Sequence, residues 1–132
     1  MDLTNIQIGL KGEVTDTVTD KNIASVLGSG GLPVFATPAM ITIMEKAAAD
    51  AINPHLPPGC STVGTDVNIK HLSPTPQGMK VSAKAELLAI DGRALSFKVE
   101  AFDEAGKIGE GSHERFVIEI EKFMSKAEGK KA

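Results

Sequence analysis

Apolar and polar residues alternate with a period of two through most of the second half of the chain. In TVGTDVNIKH, Val63, Thr65, Val67, Ile69 and His71 share one face, with Asp66, Asn68 and Lys70 opposite. In MKVSAKAELLAI, Met79, Val81, Ala83, Ala85 and Leu87 line one face and Lys80, Ser82, Lys84 and Glu86 the other. Asp91-Gly92 is a hairpin signal, and beyond it Leu95, Phe97, Val99 and Ala101 alternate with Ser96, Lys98 and Glu100. A turn around Glu104 to Gly106 precedes a long strand in which Phe116, Ile118 and Ile120 alternate with Val117, Glu119 and Glu121. This pattern predicts an antiparallel sheet with one buried face. A further strand is expected in IQIGLKGEVTDTVT, which is rich in β-branched residues, followed by a loop containing Gly28 to Gly31.

Between these strands the period becomes helical. Thr37-Pro38 is a helix start, with Thr as N-cap and Pro in the first turn. The helix runs to about Asn53, where Pro54 and then Pro57-Pro58-Gly59 stop it. At 100° per residue its apolar arc holds Met40, Ile41, Met44, Ala47, Ala48, Ala51 and Ile52. The alanines suit a close approach by a curved sheet. The order is strand, loop, helix and then four strands, so the fold is α+β, a sheet of about five strands wrapped around one long central helix in the hotdog arrangement. The whole of residues 1–132 reads as a single domain, with SKAEGKKA at 125–132 as a frayed end.

Composition narrows the chemistry. Hydrophobic residues make up 42% of the chain, but the only aromatics are five Phe. The core is therefore aliphatic and methionine-rich. A net charge of -3 offers no basic field for a nucleic-acid backbone, and no stacking platform compensates. The one cysteine, Cys60, excludes an internal disulfide and a thiolate-rich metal site, which fits a reducing compartment. With no signal-peptide pattern and no long apolar run, the expected location is the cytoplasm, away from membranes.

Three polar residues interrupt the pattern. Glu45 lies at the border of the apolar arc, where a carboxylate reaching solvent beside Lys46 would explain it equally well. His71 ends the apolar face of its strand and could be a satisfied core histidine. Thr37 is fully explained as an N-cap. His113 and Arg115 share a strand face with Glu119 and Glu121, which a solvated or interface-facing surface would explain as well as a binding role would; an Arg beside a cleft would suit a phosphate or cofactor tail. Cys60 has no adjacent base, and GSGG lacks the strand–helix context of a phosphate loop.

Taken together, VFATPAMITIMEKAA, VGTDVNIKHLSPTPQG, AELLAIDGRALSFKVEA and IGEGSHERFVIEIEKF resemble the fluoroacetyl-CoA thioesterase family of hotdog proteins over residues 34–123. The resemblance implies hydrolysis of an acyl-CoA thioester at a homodimer interface, with no cofactor beyond the coenzyme A of the substrate. It also implies catalytic Thr37, Glu45 and His71, with Gly64 and Arg115 as substrate-binding residues and no metal. In the fluoroacetate-specific members the segment before VFAT supplies phenylalanines that cover the acyl pocket. Here that segment is SVLGSGGLP, with no Phe before Phe35, so a more open pocket for ordinary acyl-CoAs is expected. The competing readings are a non-catalytic hotdog module that binds acyl-CoA or a partner protein, and an enoyl-CoA hydratase. No Asp/His hydratase motif is present to favour the latter.

Overall fold

The computed structural model describes residues 1–131. Its five strands are β1 (Lys11–Thr17), β2 (Cys60–His71), β3 (Lys80–Asp91), β4 (Ala94–Asp103) and β5 (Gly106–Glu119). A short α1 (Ala24–Leu27) follows β1, then the long α2 (Thr37–Ile52), and α3 (Ile120–Glu128) follows β5. The strands form one antiparallel sheet in the order β1-β3-β4-β5-β2. β1 and β2 are therefore its two edges. The sheet curls around α2, as the hotdog reading expects.

The helix meets the sheet through small residues. Ala47, Ala48 and Ala51 are buried together with Met40, Ile43, Met44 and Ile52. Gly12 of β1 lies so close that a Cβ there would overlap the Ala47 carbonyl oxygen. On the sheet side the core is Val81, Ala83, Ala85 and Leu87 of β3 and Leu95, Phe97, Val99 and Ala101 of β4, as the alternation predicted. Burial of side chains such as Met44 and Leu87 is substantial, since truncation of such residues costs about 2–5 kcal/mol. The arc on α2 differs in one member: Ile43 is buried and Ile41 only half-buried.

Asp91-Gly92 forms the β3–β4 hairpin, with Gly92 at φ 60°. At the β4–β5 turn the Asp103 carboxylate accepts hydrogen bonds from the Ala105 and Gly106 backbone N–H groups at 2.8 and 3.1 Å. That short side chain explains the tight turn.

Two phases differ from the sequence reading. A bulge between Gly64 and Asp66 inserts one unpaired residue in β2. Val67, Ile69 and His71 therefore share the inner face with Thr62 and Gly64, while Val63 turns outward beside Phe116. A bulge shifts the period of two by one residue, which alternation alone does not reveal. In β5 the buried face is His113, Arg115 and Val117, and Phe116 is exposed. The solvated placement of His113 and Arg115 is thus corrected. β5 also ends at Glu119, and Ile120 begins α3. Residues 125–128 continue that helix, and every side chain of α3 is exposed. No helix of the described residues is long and apolar enough to cross a membrane.

Candidate active site

The start of α2 differs from the expected cap. Ala36 is the N-cap, with extended backbone, and makes no side-chain cap bond; Thr37 is the first helical residue and Pro38 the second. A one-residue shift at a helix end is small, but the hydroxyl's partner is decisive. Thr37 Oγ1 lies 2.7 Å from His71 Nδ1 at the end of β2. Capping therefore does not account for Thr37.

His71 is held by this bond on one side, while its Nε2 is buried with no protein partner. Burial pushes the imidazole below its ordinary value of 6.5, and a backbone hydrogen bond with Ser73 opposes this only in part. Desolvation acts in this direction because it penalises the charged ring. Two proton arrangements fit the Thr37 bond. Nδ1–H donating to Thr37 leaves Nε2 as a base; Thr37 donating to Nδ1 makes Nε2 the donor. The pair opens on a cavity of about 320 Å³ walled by Ala24, Val34, Phe35, Leu72 and Pro74. That is the low end of the range for small-molecule pockets.

A second cluster surrounds Glu45 in the middle of α2. Its side chain is 40% exposed, and Oε2 lies 3.7 Å from Arg115 Nη1. The inner face of β2 approaches at Gly64, where a Cβ would sit 2.8 Å from Glu45 Oε2, 3.2 Å from His113 Cε1 and 3.4 Å from Arg115 Nη1. Only a residue without a side chain lets the carboxylate lie against the strand backbone there.

Arg115 is fixed from several sides. Its Nε donates to Thr62 Oγ1 at 2.8 Å and its Nη2 to the Thr62 carbonyl at 3.0 Å. Its Nη1 reaches His113 Nε2 at 3.1 Å. Burial pushes the guanidinium below its ordinary value, and the charge of Glu45 pulls it back. A guanidinium stays charged under any such shift, so a fixed positive charge stands beside the carboxylate.

The fold thus gathers the sequence-predicted residues into two groups, Thr37 with His71 and Glu45 with Gly64 and Arg115. Eight residues of helix separate Thr37 from Glu45, roughly 12 Å along the axis. Along β2, Gly64 and His71 are roughly 20 Å apart. A single chain does not bring all five onto one reacting carbonyl. Sequence reasoning missed Thr62 and His113 as partners of Arg115. The available signal was Gly64, since a glycine inside a strand marks a bulge or a close approach. No group of three metal-ligating side chains occurs among the described residues.

Comparison with known proteins agrees with this architecture. The family model for fluoroacetyl-CoA-specific thioesterase matches residues 18–121. The fluoroacetyl-CoA thioesterase of Streptantibioticus cattleyicolor is 44% identical over 97 residues, 74% of this chain and 70% of that protein. A solved structure of a fluoroacetyl-CoA thioesterase variant in complex with acetyl-CoA superposes with a TM-score of 0.90 at 34% identity, covering 96% of this chain and all of the other. A thioesterase superfamily member from Thermus thermophilus gives 0.88 at 29% identity, covering 96% of this chain and 93% of the other. The chain belongs to the fluoroacetyl-CoA-specific thioesterase family, thioester hydrolases built on the hotdog fold.

Proposed function

We propose that Thr37, Glu45 and His71 hydrolyse an acyl-CoA thioester to the free acid and coenzyme A, in a site completed by a second copy of the chain. The carrying observation is the pair of half-sites: the Thr37–His71 bond at 2.7 Å and the Glu45–Gly64–Arg115 cluster, too far apart to act together within one chain. β2 is a free edge twelve residues long, and such an edge invites pairing. Val67 stands opposite His113, on the inner face, yet is 42% exposed. Antiparallel pairing of two β2 strands about Val67 and Asn68 would set His71 across from Gly64 of the partner subunit. A symmetric dimer of this kind has two equivalent composite sites.

In each site Glu45 brings its carboxylate to the thioester carbonyl, or to a water against it, as nucleophile or base. A backbone N–H at Gly64 faces the developing oxyanion; donors of this sort are worth about 3–4 kcal/mol. If Glu45 is the base, the proton it takes from water passes through neutral His71 Nε2 to the leaving thiolate. If it is the nucleophile, a mixed anhydride forms as the thiolate leaves, and His71 Nε2 takes the proton of the water that hydrolyses the anhydride and gives it to the thiolate. Thr37 holds the ring in both routes. Arg115 orients the Glu45 carboxylate. Water balances the reaction, so no cofactor is required beyond the substrate's own coenzyme A. The cavity beside Thr37 and His71 is lined by Phe35, Val34, Ala24, Leu72 and Pro74 together with Ser29 and Ser73, and the segment that contributes Ser29, residues 28–31, carries no aromatic side chain. We therefore assign a small or medium acyl group without preference for fluorine. An unpaired Cys60 is compatible with work in a reducing cytoplasm, the location we propose.

Subunit mixing tests the composite site. Glu45→Ala and His71→Ala chains, each inactive alone, are expected to regain about a quarter of wild-type thiol release when unfolded together and refolded in equal amounts, because random pairing makes half the dimers mixed and each carries one intact site. No recovery, with mixed dimers demonstrated, would place the whole site within one chain.

A further inference from the structure

His113 is 1% exposed and has no part in the chemistry assigned above, yet both of its ring nitrogens are committed. Nδ1 lies 2.7 Å from the Asp66 carbonyl oxygen, at the β2 bulge. Nε2 lies 3.1 Å from Arg115 Nη1. A carbonyl only accepts and a guanidinium only donates. The tautomer is therefore fixed by elimination: Nδ1–H donates to Asp66, and the Nε2 lone pair accepts from Arg115. Phe97 walls the ring, with centroids 6.3 Å apart.

We infer that His113 is a positioning residue for the hydrolysis, restraining the Arg115 guanidinium at its 3.7 Å separation from Glu45 and tying it to the bulge beside Gly64. The geometry is economical in its choice of atoms. The same Nη1 that His113 holds is the nitrogen 3.7 Å from Glu45 Oε2. Thr62 fixes the other end of the guanidinium through Nε and Nη2, so Nη1 is left to His113 and Glu45 alone. Without an acceptor at Nε2, Nη1 would turn toward the carboxylate and draw it off the Gly64 backbone. A charged hydrogen bond of this sort is directional enough to matter where a misplacement of about 1 Å can cost a hundredfold in rate. This inference rests on the reading that Glu45 is catalytic.

Two substitutions separate the two ring bonds. In His113→Gln the side-chain oxygen reaches the place of Nε2 and still accepts from Arg115, while nothing donates to Asp66. In His113→Asn the amide nitrogen takes the place of Nδ1 and still donates to Asp66, while nothing reaches Arg115. The Gln variant is expected to stay within about threefold of wild-type kcat, and the Asn variant to lose about tenfold or more with KM little changed. Combining His113→Asn with Arg115→Lys is expected to lose no more than Arg115→Lys alone, the signature of groups acting through one another.

Equal kcat in the two His113 variants, a better Asn than Gln variant, or full additivity with Arg115→Lys would overturn the positioning role. The ring nitrogen shifts of the wild-type protein give a second test that needs no variant to fold. They are expected to report Nδ1–H with a bare Nε2, and the opposite tautomer would overturn the inference. Glu45→Gln belongs in the same assay. If it keeps turnover, the catalytic reading fails; if it is inactive while the two His113 variants match, only the positioning role fails.

Discussion

At Gly64 the carboxylate of Glu45 lies against strand backbone because nothing projects from the glycine. Gly64→Ala would set a methyl 2.8 Å from Oε2, and the flexible end of Glu45 can swing away at small cost in stability. We expect kcat to fall about tenfold or more while the melting temperature moves little, since the loss falls on transition-state geometry rather than packing. Thermal denaturation alongside thiol release checks both halves. His71 sets a pH dependence whose sign follows from its burial. Its value is lowered from 6.5 in the fold, so the folded state resists protonation that the unfolded chain accepts. Its stabilising contribution is present above pH 6.5 and is lost as pH falls from there through the lower folded value. The acid limb of kcat/KM that depends on neutral His71 should accordingly lie below pH 6.5. A limb at or above 6.5 would contradict the burial argument.

At the scale of elements, the decisive contact is β1 against α2. A methyl at Gly12 would overlap the Ala47 carbonyl oxygen, and backbone on both sides leaves little room to yield. Gly12→Ala is therefore expected to destabilise the fold by about 1–3 kcal/mol, as overpacking does, measured by chemical denaturation. Most of this architecture was legible in the sequence because α2, β4 and β3 as far as Leu87 keep periods of 3.6 and 2. What was not legible came from interruptions of those periods. The extra residue at Thr65 reverses the phase of β2, so Val63 and Val67 lie on opposite faces although the pattern puts them together. In β5, Phe116 and Ile118 looked like the buried side, but His113 and Arg115 face inward because they satisfy each other and Thr62. A buried polar pair defeats a hydrophobicity pattern by design of its partners, which are distant in sequence. The candidate catalytic residues were visible as exceptions, whereas their grouping depended on the bulge and on helix length.

For the whole molecule, the open β2 edge and the exposed inner-face Val67 predict that two chains pair to complete each site. Light scattering on the purified protein should give twice the mass of the 13.8 kDa chain. Val67→Lys, which places a charge in the predicted seam, should shift the protein toward monomer and lower turnover in parallel. A fully active monomer would contradict that arrangement. The central claim is that Glu45 carries thioester hydrolysis, and the most direct measurement is thiol release from a panel of acetyl-, fluoroacetyl-, medium-chain and aryl-CoA for wild type and Glu45→Gln, with binding of each thioester measured in parallel. The account predicts wild-type turnover of at least one non-fluorinated thioester and a loss of about a thousandfold or more in Glu45→Gln with binding retained. Undiminished turnover in Glu45→Gln, or binding without turnover in the wild type, would contradict it.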